Sequence, residues 1–259
     1  MSIGTAKPTT EEMGDVEHFF IDSHSVTEEL TAAEFAKEAR SIIDQRPEEV
    51  IVVTGGSGMF IDALCIGLDD LPTDKTIKNS LIDQIEKEGL EKLVDELKEF
   101  DPDYAGTADL KNPARVIRAL EVIRSSGKKY SDLRTERRES PYNLHRFVID
   151  HPRHILYERI NDRIDQMIEA GLIEEVRGLE EFKGLTSLNT VGYKELFAFF
   201  SGEITQEEAI DKIKQNTRRY AKRQITWFKR HDHTHWLPAA DIEKMRDEVL
   251  KIAGQGKVE

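Results

Sequence analysis

Val50-Ile51-Val52-Val53-Thr54, continuing through Gly55-Gly56-Ser57-Gly58 into Met59-Phe60-Ile61-Asp62-Ala63-Leu64-Cys65-Ile66-Gly67-Leu68, is the stretch around which the chain is organised. Five β-branched residues predict a buried strand, three glycines break it, and an apolar-periodic run predicts a helix. A strand would thus deliver a helix N-terminus through a glycine loop. Such a junction aims unpaired backbone amides and the positive end of a helix dipole at one spot, and the missing side chains let an anion approach. Ser57 adds a hydroxyl donor there. A tight turn with no ligand has the same spacing, so the loop alone does not decide between the two.

Around this stretch, 259 residues are enough to bury a full core in one large domain or two smaller ones. With 38% hydrophobic and 34% charged residues the composition is that of a soluble globular protein. No run reaches the roughly 18 apolar residues that would span a bilayer, and the polar, acidic first twenty residues show no signal peptide. A membrane is therefore not an expected partner. The single Cys65 excludes an internal disulfide and fits a reducing, cytoplasmic setting.

The net charge of −13 argues against a polyanionic partner until its distribution is read. Eight Lys or Arg and no acid lie between Lys212 and His231, while the remaining 29 cations face all 50 acids. A second stretch, Lys111 to Arg138, holds nine basic residues against three acids. Two basic surfaces on an acidic body suit an anionic partner, although charge runs are also commonly just solvated helix faces.

Taken in order, Met1 to Pro8 is irregular and Phe19-Phe20-Ile21-Asp22 predicts a short strand. Thr31-Ala32-Ala33-Glu34 is a capping box opening a helix to about Gln45. Strand, helix, strand and helix in succession imply a parallel sheet. After Leu71-Pro72 the strand signals stop. Leu81, Ile85, Leu93, Val94 and Leu97 recur at helical spacing with an interruption at Gly89, and Asn112-Pro113 opens a helix to about Ser126. Phe147-Val148-Ile149 predicts one more strand. A helix follows from about Pro152 to Ala170 with Ile160, Ile164, Met167 and Ile168 inward, stopped at Gly171. Thr205-Gln206-Glu207-Glu208 caps a last helix to about Lys229, on which Lys214, Arg218 and Lys222, and likewise Arg219 and Arg223, stand four apart. Stacked like charges repel, so these stripes suit an anionic partner, with Trp227 either stacking on a base or filling the core.

The fold class expected is α/β, with residues 1–72 and 143–259 forming the core and residues 73–142 an all-helical insertion. Other chemistry is weaker. His231-Asp232-His233-Thr234-His235 has alternating histidines but no further ligand pattern, so no metal site is assigned. Cys65 lies in an apolar run and reads as core. No Lys-Ser or Lys-Thr ended phosphate loop occurs in the chain.

Six blocks, in order, resemble the tRNA dimethylallyltransferase (isopentenyl-tRNA transferase) family. They are Ile3-Gly4-Thr5-Ala6-Lys7-Pro8; Val53 to Phe60; Asn112-Pro113-Ala114-Arg115-Val116-Ile117-Arg118-Ala119-Leu120-Glu121-Val122; Leu156 to Ile160; Val191-Gly192-Tyr193-Lys194-Glu195; and Ala221 to Trp227. The resemblance implies a P-loop-type α/β core, with the helical insertion gripping a tRNA anticodon stem-loop. It also implies transfer of a dimethylallyl group from its diphosphate to the exocyclic amine of adenosine 37, flipped out of its stack. Magnesium, a monomeric state and a cytoplasmic location come with it. By the same resemblance Ser57 is the catalytic-site hydroxyl at the diphosphate and target base, and Gly55, Gly56 and Asn189 help bind substrate. Lys78, Arg115, Arg118, Asn189, Thr190, Gly192, Tyr193, Lys194, Lys222, Arg223, Gln224 and Trp227 face the tRNA.

Two departures stand out. Asn189 occupies a position where some members carry a diphosphate-binding Arg. The family's P-loop segment and the Asp-Ser pair that supplies its general base have no counterpart in these residues, so the 259 residues alone are expected to transfer little or nothing. An adenylate isopentenyltransferase and a non-catalytic RNA-binding remnant are the alternative readings.

Overall fold

The computed structural model describes residues 1–47, 49–69, 71–134, 140–239 and 241–254. The chain divides into two compact units, one made of residues 1–65 and 142–259 and the other of residues 66–141.

The second unit is helical. Asp74 accepts from the amides of Thr76 and Ile77 and so caps α4 (Lys75–Glu88), given that the short α1 (Thr10–Met13), α2 (Ala32–Asp44) and α3 (Gly58–Cys65) precede it in the other unit. Gly89, at φ +84°, ends α4 and begins α5 (Leu90–Phe100), a backbone angle that a side chain would strain. α6 (Pro102–Thr107), α7 (Pro113–Ser126) and α8 (Tyr130–Leu133) complete it, with Asn112 capping α7 through the Ala114 amide as the Asn-Pro pair predicts. Leu81, Leu93, Leu97, Val116, Leu120 and Ile123 form its core. The fully buried Asp101 accepts from the Tyr104 amide and from the amide and hydroxyl of Ser131. Burial alone would raise its pKa, but these donors hold it below the ordinary value.

In the first unit β1 (Arg146–Asp150) pairs in parallel with β2 (Thr234–Pro238), Val148 opposite Trp236. The connection between them carries α9 (Arg153–Glu169), α10 (Leu172–Arg177), α11 (Tyr193–Phe200) and α12 (Gln206–Phe228), and α13 (Ile242–Gly254) follows. Ile164, Leu172, Val176, Leu188, Leu196 and Ile213 build one core here. Ala32, Ala36 and Ala39 of α2 meet Ala63 and Leu64 of α3 in another, where small side chains bring two helices close.

The whole is mixed and mostly helical with a small parallel sheet. Two expected strands are not formed. Val50 to Thr54 has no regular secondary structure and no ladder partner among the described residues, and Val52 is 82% exposed; β-branching favours extended backbone, whereas a strand also needs a neighbour. Phe19 to Asp22 turns instead. Phe20 (φ +64°) and Asp22 (φ +53°) sit in the left-handed region, Phe20 packing on Phe35 and Asp22 pairing with Lys7. β2 starts at the end of the histidine-rich stretch, with Thr234 and His235 in common. The helix after the glycine loop ends early, at Cys65, where Arg40 donates to the Ala63 and Leu64 carbonyls. Burial pushes the Cys65 thiol up, as expected of a core cysteine. Arg137 and Arg138 of the second basic stretch lie outside the described residues.

The start of the chain is anchored by one carboxylate. Glu175 of α10 accepts from the amides of Ser2, Ile3 and Gly4 at 2.7, 2.9 and 3.0 Å and from the Tyr193 hydroxyl at 2.7 Å. Burial opposes its ionisation, but these four donors outweigh it and hold the pKa at about 2. Gly4 is required here because a Cβ would enter the Tyr193 ring. The folded pKa lies below the unfolded one, so this stability is present above the ordinary carboxylate range and is lost as pH falls from 4.5 towards about 2. Glu175→Gln is expected to destabilise the fold by about 2 kcal/mol at pH 7. Thermal melts of the two proteins should converge as pH drops through that window.

Candidate functional site

The glycine loop opens directly onto α3. The Ile61 amide bonds the Ser57 carbonyl, so Ser57 stands at the helix entrance with its side chain exposed. The glycines on either side of it are covered by α12. A Cβ on Gly56 would meet the Gln224 carboxamide and one on Gly58 the Trp227 indole. The residues needed for close approach in the loop are therefore matched to two residues one turn apart on the basic helix.

Asp62, one turn into α3, fixes this contact. Its carboxylate accepts from Trp227 Nε1 at 2.8 Å and from Arg146 Nη2 of β1 at 3.1 Å, and His231 Nε2 lies 3.3 Å away. The Asp62 side chain is 14% exposed. Sequence reasoning missed Asp62, Arg146 and His231. Asp62 is one acid among many, and the only hint was that the histidine-rich stretch invited a different explanation. His235 of that stretch stacks on Phe147 with centroids 5.2 Å apart.

The basic stripes of α12 separate into two groups. Lys214 pairs with Asp165 of α9 at 2.6 Å, and Arg218 donates to Asn161 at 2.6 Å, so these two cations hold helices together. Arg223 lies over the Tyr220 ring at 5.5 Å but is exposed, and exposed Lys222 makes no side-chain hydrogen bond or ion pair among the described residues. Next to Gln224 and the loop, Lys222 and Arg223 are cations available to a ligand.

The remaining expected site residues scatter in role. Asn189, Thr190 and Lys194 are exposed at the entrance to α11. Gly192, at φ +100°, is buried and donates its amide to Glu195. Tyr193 is 0% exposed with its hydroxyl on Glu175, so its side chain is a core group. Trp227 likewise uses its indole N–H on Asp62.

Within the helical unit, Lys78 and Arg115 are exposed. Arg118 donates to the Leu71 and Pro72 carbonyls and pairs at 2.8 Å with buried Glu121, which also accepts from the Asp74 amide; it is a structural clamp of that unit.

For a magnesium ion the described side chains supply no ligand set of their own. Among the described residues no three His, Cys, Asp or Glu lie where they could hold a metal, and the Asp62 carboxylate is taken by its three partners.

The IPP transferase family model matches residues 1–231. The tRNA dimethylallyltransferase 1 of Bacteroides thetaiotaomicron is 45% identical over 257 residues, covering 97% of this chain and 83% of that protein. The tRNA dimethylallyltransferase 1 of Bacteroides fragilis is 43% identical over 92% of this chain and 80% of its own. A crystal structure of the full-length tRNA isopentenylpyrophosphate transferase of Bacillus halodurans superposes with a TM-score of 0.69 at 37% identity, covering 98% of this chain and 83% of that one. A eukaryotic dimethylallyltransferase shares the fold at a TM-score of 0.77 and 23% identity, over 97% of this chain and 68% of that one.

Two pairs of substitutions separate these roles. Gly58→Ala, which drives a methyl into a ring held by Asp62, should cost about 1–3 kcal/mol, whereas Gly56→Ala should cost less than about 1 kcal/mol because the Gln224 amide can swing away. Arg118→Ala should destabilise by about 2 kcal/mol by leaving buried Glu121 without its cation, and Arg115→Ala should stay within about 0.5 kcal/mol. Denaturant midpoints of the four variants give the comparison.

Proposed function

This chain belongs to the IPP transferase family, and on that premise we propose that it serves the transfer of a dimethylallyl group from dimethylallyl diphosphate to the exocyclic amine of adenosine 37 in tRNA, with little or no turnover expected of these 259 residues by themselves. The observation that carries the reading is the seating of the basic end of α12 on the glycine loop, with Ser57 between the two covered glycines. In the reaction the bond from the dimethylallyl carbon to the diphosphate oxygen breaks, and the leaving group takes the electron pair. The amine nitrogen bonds to that carbon and gives up a proton, which the departing diphosphate can accept. Charge grows on the diphosphate, and donors fixed in advance at that point lower the barrier. The Ser57 hydroxyl and the first amides of α3, which have no acceptor within the helix, are the donors of this kind at the loop. Gly55 keeps the approach open, and Gly56, lying against Gln224, and exposed Asn189 are read as further substrate-binding groups.

Lys222 and Arg223 are read as phosphate-binding cations for the anticodon stem-loop, with Gln224 beside them. Lys78 and Arg115 play the same part on the helical unit, residues 73–142 being the RNA-gripping insertion. Asn189, Thr190 and Lys194 are polar RNA-facing groups at the start of α11. The parallel β1–β2 pair and the Val50 to Thr54 segment are read as parts of a P-loop-type α/β core. A monomer working in the cytoplasm suits the single buried thiol. Magnesium would accompany the diphosphate, and no step assigned to these residues passes through it.

Exposed cations beside the loop favour RNA over free nucleotide as the acceptor. Any label that the chain transfers from dimethylallyl diphosphate, however slowly, should appear on an anticodon stem-loop containing adenosine 37 and not on AMP. Equal labelling of AMP would favour the adenylate reading, and stem-loop binding without labelling the non-catalytic one. Neutralising Lys222 and Arg223 together should weaken stem-loop binding and reduce the salt slope by about 1–2, while Lys214→Ala leaves the slope unchanged. Fluorescence anisotropy of a labelled stem-loop across a salt series reads both.

A further inference from the structure

Asp62 gathers donors from three parts of the first unit that are far apart in sequence. Arg146 comes from β1, Trp227 from the last turn of α12, and His231 from the turn that precedes β2. Their convergence lies one turn beyond the glycine loop, on the helix which that loop begins. It is also largely closed to water, with Arg146 12%, Asp62 14% and His231 21% exposed at their side chains.

The consequence falls on Trp227. Its ring covers the backbone of Gly58, and its N–H has one acceptor, the Asp62 carboxylate. A ring lying on a glycine could slide or rotate; a 2.8 Å bond to a carboxylate that is itself held by Arg146 fixes both its position and its tilt. One turn earlier on the same helix, Gln224 lies against Gly56 and is preceded by Lys222 and Arg223. The position of the exposed cations relative to Ser57 is thus set through Trp227 by Asp62.

We infer that Asp62 is a positioning residue for the transfer reaction, a latch that holds the RNA-facing end of α12 in register with the Ser57 loop. This rests on the function proposed above. The latch touches neither the diphosphate nor the base. Cations that have lost their register still attract RNA phosphates, because that attraction is long-ranged and tolerant of small displacements. Delivery of a base to a fixed hydroxyl is not tolerant, since an error of about 1 Å at a reacting centre can cost about 100-fold in rate. Loss of the latch should therefore lower the transfer rate and spare RNA affinity.

The test uses the full chain with Trp236→Phe, so that Trp227 is the one remaining tryptophan, and compares it with the same chain carrying Asp62→Asn, Trp227→Phe or both. Single-turnover transfer to an anticodon stem-loop, stem-loop affinity by anisotropy, thermal stability and, where Trp227 is present, its emission are measured. Asp62→Asn is expected to slow transfer at least about 10-fold at saturating RNA, to change affinity less than about 3-fold, and to red-shift Trp227 emission. Its effect on rate should be non-additive with Trp227→Phe, because both break one contact. Unchanged rate, additive effects, or affinity falling in step with rate would overturn the latch. If the parent chain binds the stem-loop and transfers nothing, as residues with no counterpart of the family's phosphate loop and general base are expected to, the rate comparison is replaced by emission, which decides the latch. A Trp227 signal that responds to RNA in the parent and not in Asp62→Asn supports it, and equal responses overturn it. Absence of stem-loop binding overturns both.

Discussion

An aromatic ring can lie against a backbone only where that backbone carries no Cβ. This constraint at Gly58 governs the site, because α12 reaches the loop through Trp227 and would be pushed away by any side chain there. The glycines at 56 and 58 are therefore packing requirements as well as open space for a ligand. They let a 23-residue helix with an exposed basic end approach a loop that bears a single hydroxyl. Asp62 then converts proximity into a defined geometry by giving the indole N–H one charged acceptor.

The same use of acids recurs elsewhere and explains part of the strong acidity of the chain. Glu175 binds three consecutive amides at the start of the chain, Asp101 the amides of Tyr104 and Ser131, Glu121 the Asp74 amide, and Glu195 the Gly192 amide together with the Asn216 carboxamide. Each sits where one segment ends against another. At such junctions backbone amides have no helix or ladder acceptor, and an unsatisfied buried donor costs about 1–3 kcal/mol. A carboxylate with two oxygens satisfies two or three of them at once. These buried acids act as local joints, while the rest of the acidic surplus remains on the surface.

Features written in local sequence were legible. The capping boxes at Thr31 and Thr205, the Asn112-Pro113 start and the Gly89 interruption all operate as read, because a cap is decided within four residues. Strands depend on partners, and there the reading is weaker: Val50 to Thr54 forms no ladder among the described residues, and β2 begins at the end of the histidine-rich stretch. The site was half legible. Glycines, Ser57 and the basic run stood out by composition, and the loop and α12 do meet. Asp62 did not stand out, because its role depends on Arg146 and Trp227, which lie 84 and 165 residues away. Tyr193 and Arg118 were assigned to RNA by resemblance, whereas their side chains hold the fold together. A motif shows which residues matter without showing which way they point.

The division of the α12 cations has a further physical consequence. Had all eight basic residues of the run been free, RNA could have met the helix at many registers of similar energy. Lys214 and Arg218 are instead bound to α9, so the free charge concentrates towards the end of the helix that touches the loop. On a chain with net charge −13, the surrounding acidic surface repels a polyanion at the distances where steering acts. Attraction confined to one end and repulsion elsewhere favour the orientation that brings RNA to Ser57. Specific placement here arises from pairing off two of the eight cations as much as from what the remaining ones touch.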